Sequence, residues 1–247
     1  MSPAETVGFR HFHDQLAMLK ERLLTMSEKA EALLELAVEA LLTRDGEKAE
    51  TVIQGDHEVD DLEIEVEQLA VELLALQQPM ARDLRFIIGA IKITSDLERV
   101  GDHAVNISQA AQRMMSYTST ITPHPELQDM ARRTRQMLGD AIDAFIRADG
   151  ALGREVCKAD DQVDAIHDSM FRILLTHMMA DARMIQPSLE LLLVSRNIER
   201  VADLATNIGE DAVYLAEGKQ IKHHVEERAK ERAKERAARG APGRTPT

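Results

Sequence analysis

The sequence predicts an all-α protein built as two tandem, pseudo-symmetric three-helix bundles, six long helices in all, with a charged C-terminal tail. Three observations carry this expectation. Apolar residues recur at three- and four-residue spacing along almost the whole chain, the period of a helix with one buried face. The decapeptide Glu98-Arg-Val-Gly-Asp-His-Ala-Val-Asn-Ile107 returns 101 positions later as Glu199-Arg-Val-Ala-Asp-Leu-Ala-Thr-Asn-Ile208, with seven of ten positions identical. The 247 residues are 44% hydrophobic but only 3% aromatic and lack Trp, so Leu, Ala, Val, Ile and Met must fill the core.

The elements follow in order. A first helix is expected from about Val7 to Leu42, through Leu16, Leu19, Leu23, Met26 and Leu33, with Arg44-Asp-Gly46 as its stop signal. A second is expected from about Glu47 to Leu76, with Val52, Val59, Leu62, Val66 and Leu73 on one face. Gln77-Gln78-Pro79 turns the chain into a third, from about Met80 to Met115. Two prolines and several β-branched residues in Tyr117-Thr-Ser-Thr-Ile-Thr-Pro-His-Pro125 then mark a linker. The series repeats with a helix from about Glu126 to Ala148, a break at Asp149-Gly150, and a helix to about Ala180. Ile185-Gln-Pro187 leads into the last helix, which ends near Ala216 ahead of Gly218.

The expected units are therefore 1–118, a linker at 119–125, 126–218, and a tail at 219–247. The tail alternates Glu, Arg, Ala and Lys with no apolar stripe, so an exposed, fraying helix and partial disorder are expected there. A repeat of about 100 residues is too long for a solenoid unit, which duplicated bundles fit better.

Composition excludes several functions. A formal charge of −13 argues against nucleic acid, whose binders need clustered Lys and Arg. The single Cys157 rules out an internal disulfide framework and a Cys-ligated zinc site. With no signal-like N-terminus and no run of about 18 apolar residues, the expectation is a cytoplasmic protein that reaches membranes only through partners.

The chemistry lies in the acids. Residues four apart share a helix face, so Glu98, Asp102 and Asn106 form one row of oxygen-bearing side chains, and Glu199, Asp203 and Asn207 form another. Asp211 extends the second row by a step. In the preceding helices Gly55-Asp-His-Glu-Val-Asp60 resembles Ala159-Asp-Asp-Gln-Val-Asp164, so Asp56 and Asp60 match Asp160 and Asp164 at an offset of 104. At 100° per residue these acids fall on the shoulders of the core stripes, where rows from adjacent helices meet at a rim.

A lone Glu-x-x-x-Asp pair on a charged helix is ordinarily a solvated face. Duplication with Arg and Asn retained weakens that reading, because packing explains Val100/Val201 and Ala104/Ala205 but calls for no acid. Two carboxylates about 4 Å apart repel by roughly 4 kcal/mol at an effective dielectric of 20. Pairing with Arg99 and Arg200 relieves this, and so does a bound cation. Oxygen ligands favour Mg²⁺, Ca²⁺, Mn²⁺ or iron.

Other candidates are weaker. Asp164-x-x-His167 is half of a di-iron motif, but Glu63 stands opposite His167 in the first half, so the motif is not duplicated. His11, His13, His223 and His224 sit near the termini and read as exposed. Cys157 reads as a small, partly buried residue, and the 12 methionines as core filler. No GxxxxGK[ST] loop and no GxSxG elbow occurs.

The doubled stretch Asp96-Leu-Glu98-Arg-Val-Gly-Asp102-His-Ala-Val-Asn106-Ile107 and Asn197-Ile-Glu199-Arg-Val-Ala-Asp203-Leu-Ala-Thr-Asn207-Ile208, with Pro79-Met-Ala-Arg-Asp-Leu-Arg85 ahead of it, resembles the PhoU family over about residues 8–218. The resemblance implies paired three-helix bundles, commonly dimeric. It implies a non-enzymatic negative regulator of phosphate uptake and the phosphate-starvation response, linking a phosphate ABC transporter to a membrane sensor histidine kinase. It also implies metal ions (iron, zinc, manganese, magnesium or calcium) on the acidic faces. Carried over, one site takes Asp56, Asp60, Glu98 and Asp102, and the other Asp160, Asp164, Glu199 and Asp203. Leu204 stands where the first copy has His103. The rival expectation is a carboxylate-bridged hydrolase or oxidase, which needs an enclosed pocket with an open metal position.

Overall fold

The computed structural model describes residues 3–118 and 121–221. Seven helices run as α1 (Pro3–Thr43), α2 (Gly46–Gly55), α3 (His57–Gln77), α4 (Ala81–Met115), α5 (Pro125–Arg147), α6 (Gly150–Ala180) and α7 (Ile185–Glu217), with a 3₁₀ turn at Ala182–Met184. No strand occurs among the described residues. The tail from Lys222 onward, and with it the expectation of partial disorder, lies outside them.

The all-α, two-bundle expectation holds, with one correction. The second rod is two helices, interrupted at Asp56. Asp56 keeps helical dihedrals (φ −60, ψ −35), and its carbonyl still accepts from Val59 N and Asp60 N at 2.8 and 3.2 Å. The interruption is thus a local weakening beside Gly55, a poor helix former.

Each half repeats the same local devices. Arg44 and Ala148 both take left-handed dihedrals, φ 55 and φ 52, to end α1 and α5. Asp45 and Asp149 then cap the next helix. Oδ1 of Asp45 accepts from Glu47 N and Lys48 N, and Oδ1 of Asp149 from Ala151 N and Leu152 N. Such caps satisfy amides that the first helical turn leaves unpaired.

The two halves share one apolar core. α4 packs on α7 and α1 on α5 across them. The Phe86 ring of α4 stacks on Phe145 of α5 at 5.0 Å, and Gly89 makes room for it: a β-carbon there would stand 2.6 Å from Phe145 Cε2.

α4 and α7 run antiparallel, as three contacts fix. Lys92 Nζ lies 3.6 Å from Asp211 Oδ1, His103 Nδ1 3.0 Å from Asn197 Oδ1, and Arg113 Nε 3.0 Å from Glu190 Oε1. This packing brings the two motif copies together about a pseudo-dyad.

Candidate metal centres flanking a pseudo-dyad groove

The first cluster forms where the α2–α3 junction meets the middle of α4. Burial and the charges of Asp60 and Asp102 raise the Asp56 pKa to about 6, with His57 opposing. Burial also raises Glu98, followed by Asp102, Glu63, Asp60 and Asp56. Such shifts need proximity, so the acids from the two helices do converge on one rim. Asp56 is seated against Gly101, where an added β-carbon would collide with its Oδ1.

The second cluster repeats this between α6 and α7. Burial, then Asp164, Asp203, Asp161 and Glu199, all push Asp160 the same way, to about 7. Burial and Asp203 raise Glu199, while His167 opposes. Burial and Asp164 raise Asp203, opposed by Arg200 and by Arg99 from the other half. Oδ1 of Asp160 is buried without a hydrogen-bond partner.

Glu63 and His167 therefore join the clusters that the sequence reading assigned to Asp, Glu and Asn alone. The signal was available: 63 and 167 differ by 104, the offset that pairs Asp60 with Asp164. Ser195 Oγ donates its one proton to Leu192 O at 2.9 Å, so Nδ1 of His167, 3.2 Å away, donates to Ser195 Oγ.

Between the clusters lies a groove of about 610 Å³ on the pseudo-dyad. Its walls pair Arg99 with Arg200, Asp102 with Asp203, and Asn106 with Asn207. The two Asn side chains, expected to prolong the carboxylate rows, thus line the space shared by both copies. His103 faces this groove opposite Leu204. Asn197 Nδ2 donates to Leu193 O at 2.7 Å, so its Oδ1 accepts from His103 Nδ1. Burial lowers the His103 pKa despite that bond. Asp211 does not extend the second row to the surface. It is buried at the α4–α7 contact beside Lys92.

The donors suit a hard cation: eight carboxylates in two groups, one of them carrying an unpartnered buried oxygen. They stand as neighbours and not as a closed cage. No three His, Cys, Asp or Glu among the described residues have a geometry that could hold a metal ion. Closing a coordination shell requires side-chain rotation.

The model of the PhoU domain matches this chain twice, at residues 23–111 and 127–212, one match for each copy of the motif. The chain belongs to the PhoU family. It is 37% identical over 215 residues to a phosphate-specific transport system accessory protein PhoU homolog of Aquifex aeolicus, covering 87% of this chain and 97% of that one. A homolog of the same description from Zymomonas mobilis is 35% identical over 223 residues, covering 90% and 94%. The crystal structure of PhoU from Pseudomonas aeruginosa superposes with a TM-score of 0.79 at 32% identity, over 84% of this chain and 100% of that one. The PhoU fold thus accounts for both halves, and the acid clusters occupy equivalent positions in each.

Proposed function

We propose that this chain is the accessory protein of a phosphate-specific transport system. In this reading it restrains phosphate uptake and the phosphate-starvation response, as an adaptor between a phosphate ABC transporter and a membrane sensor histidine kinase. The observation that carries it is the near-complete coverage of relatives described as such accessory proteins. Among the described residues no helix is long and apolar enough to cross a membrane. In this reading the chain reaches the membrane through its partners. The reading includes a cytoplasmic location and a homodimer.

The carboxylate clusters supply the second part of the proposal. Asp56, Asp60, Glu98 and Asp102 hold one metal site, and Asp160, Asp164, Glu199 and Asp203 the other, with iron, zinc, manganese, magnesium or calcium as the ion. A bound cation supplies charge neutralisation and ties α3 to α4 or α6 to α7. The protein's own contribution is to hold the acids at one rim against their repulsion. Arg99 and Arg200 share the groove with Asp102 and Asp203, so charge at one cluster acts on the other.

The rival, a carboxylate-bridged hydrolase or oxidase, calls for an enclosed reaction site. The Asp60 side chain is 46% exposed, which suits a surface centre better. Co-purification of the tagged chain from phosphate-replete cells tests the adaptor. Recovery of transporter and kinase components is expected, and recovery of neither contradicts it.

A further inference from the structure

The two halves differ where packing does not require it. Val71 and Leu175 are exposed at matching positions of α3 and α6, as are Ile88 and Leu189 on α4 and α7. Glu67 of α3, however, is matched by Phe171 of α6 at the same offset of 104. Phe171, Leu175 and Met179 follow one another at four-residue steps on α6, and Ile185 and Leu189 do so on α7. All five are between 41% and 81% exposed. The Cys157–Thr206 and His167–Ser195 contacts set the antiparallel register, which brings Leu175 level with the turn between Ile185 and Leu189. An apolar strip covering two adjacent helices is of the kind that marks an interaction site.

The strip has a charged end. At 100° per residue Phe171 and Leu175 share the side of α6 that carries Asp160 and Asp164. Asp164 lies seven residues before Phe171, about 10 Å along the helix. On α7 the same surface continues from Leu189 toward Glu199 and Asp203. The face therefore passes from apolar at the hairpin tip to acidic at mid-helix.

We infer that the α6–α7 face is a docking surface for an amphipathic helix of a partner protein, apolar along one stripe and rich in Lys or Arg at one end. Helix-in-groove recognition uses anchors at three- and four-residue spacing, which the strip's own spacing accepts. Charge complementarity selects this occupant over two others. An anionic membrane surface would meet the acidic half of the face, and a second copy docking by this same face would bring a second acidic half to it. The inference gives the adaptor reading a contact surface and rests on that reading for its purpose. The charged end of the face is the second acid cluster itself, so a Lys- or Arg-rich helix and a cation would compete for it, and the test is run in chelator.

The test uses a fluorescein-labelled synthetic helix of about 18 residues, with Leu at three- and four-residue spacing and Lys at its C-terminal end. It is titrated against the full chain in chelator and followed by anisotropy. Saturable binding is expected, weakened at least about tenfold by Leu175→Ser with Leu189→Ser and by raised salt. Ile64→Ser, an exposed change on α3 outside the strip, should leave it unchanged. Circular dichroism checks that each variant is folded. Equal binding of a peptide with Glu in place of Lys, or full binding by the Leu175→Ser/Leu189→Ser variant, overturns the proposal. So does a dimer that this variant dissociates while the peptide fails to bind, or binding to anionic vesicles without binding to the peptide. Failure here with transporter and kinase still recovered from cells would remove the surface and leave the adaptor.

Discussion

The carboxylate of Asp56 occupies the space beside Gly101 that a β-carbon on α4 would fill. The second copy has Ala202 at that position, so the two clusters are seated differently against their partner helices. Gly101→Ala gains up to about 1 kcal/mol of helix propensity while pushing Asp56 away from α4. The expected outcome is a melting temperature unchanged or slightly raised, with weaker cation binding at the first site only. Calorimetric titration of the variant against the unsubstituted chain checks this.

Protons would compete with the proposed cation for the same oxygens. In the folded chain Asp160 keeps its proton up to about pH 7, and Asp56 up to about pH 6. The unfolded chain releases both near pH 4. Between these limits the folded state holds more protons, so stability is greatest below the unfolded value and falls as pH rises through the folded one. Above pH 7 the loss is complete. In chelator, Asp160→Asn should therefore raise the melting temperature at pH 8 and do little at pH 4. After allowance for solvent screening the gain is about 1 kcal/mol, or about 2–4 °C for a chain of this size. Thermal melts at the two pH values test this.

Glu190 locks the halves together at the far end of the α4–α7 contact. Its two oxygens share the single Nε–H of Arg113, at 3.0 and 3.1 Å, and the carboxylate accepts one further bond from Arg113 Nη2 at 3.0 Å and one from Tyr117 OH at 3.0 Å. The Glu190 side chain is 11% exposed and Arg113 48%. Removing the acid leaves the guanidinium half in water, so Glu190→Ala should cost about 2–3 kcal/mol, less than a fully buried pair. Tyr117→Phe should cost about 1 kcal/mol. Denaturant unfolding measures both.

Much of the architecture was legible because helical periodicity and the repeat point the same way. Arg44-Asp-Gly46 and Asp149-Gly150 marked the breaks between helices, at the offset that also pairs Asp60 with Asp164. The interruption at Asp56 was hidden because the backbone stays helical through it and no proline marks it. Side-chain partners were harder to read. A spacing of four puts Asn106 on the row of Asp102, but the groove exists only because α4 meets α7, and no local pattern encodes that crossing. Asp211 continued a surface row by spacing and is buried for the same reason. Glu63 and His167 read in sequence as a broken motif, since the two copies fill one position with different side chains.

In the proposed reading each of the two carboxylate clusters binds a metal ion. Metal analysis of the full chain purified without chelator tests it most directly, alongside Glu98→Gln/Asp102→Asn, Glu199→Gln/Asp203→Asn and the four substitutions combined. Each pair should remove the metal of its own half, and the combination nearly all of it. Metal content unchanged in the combined variant, with its helical content intact, would contradict the account.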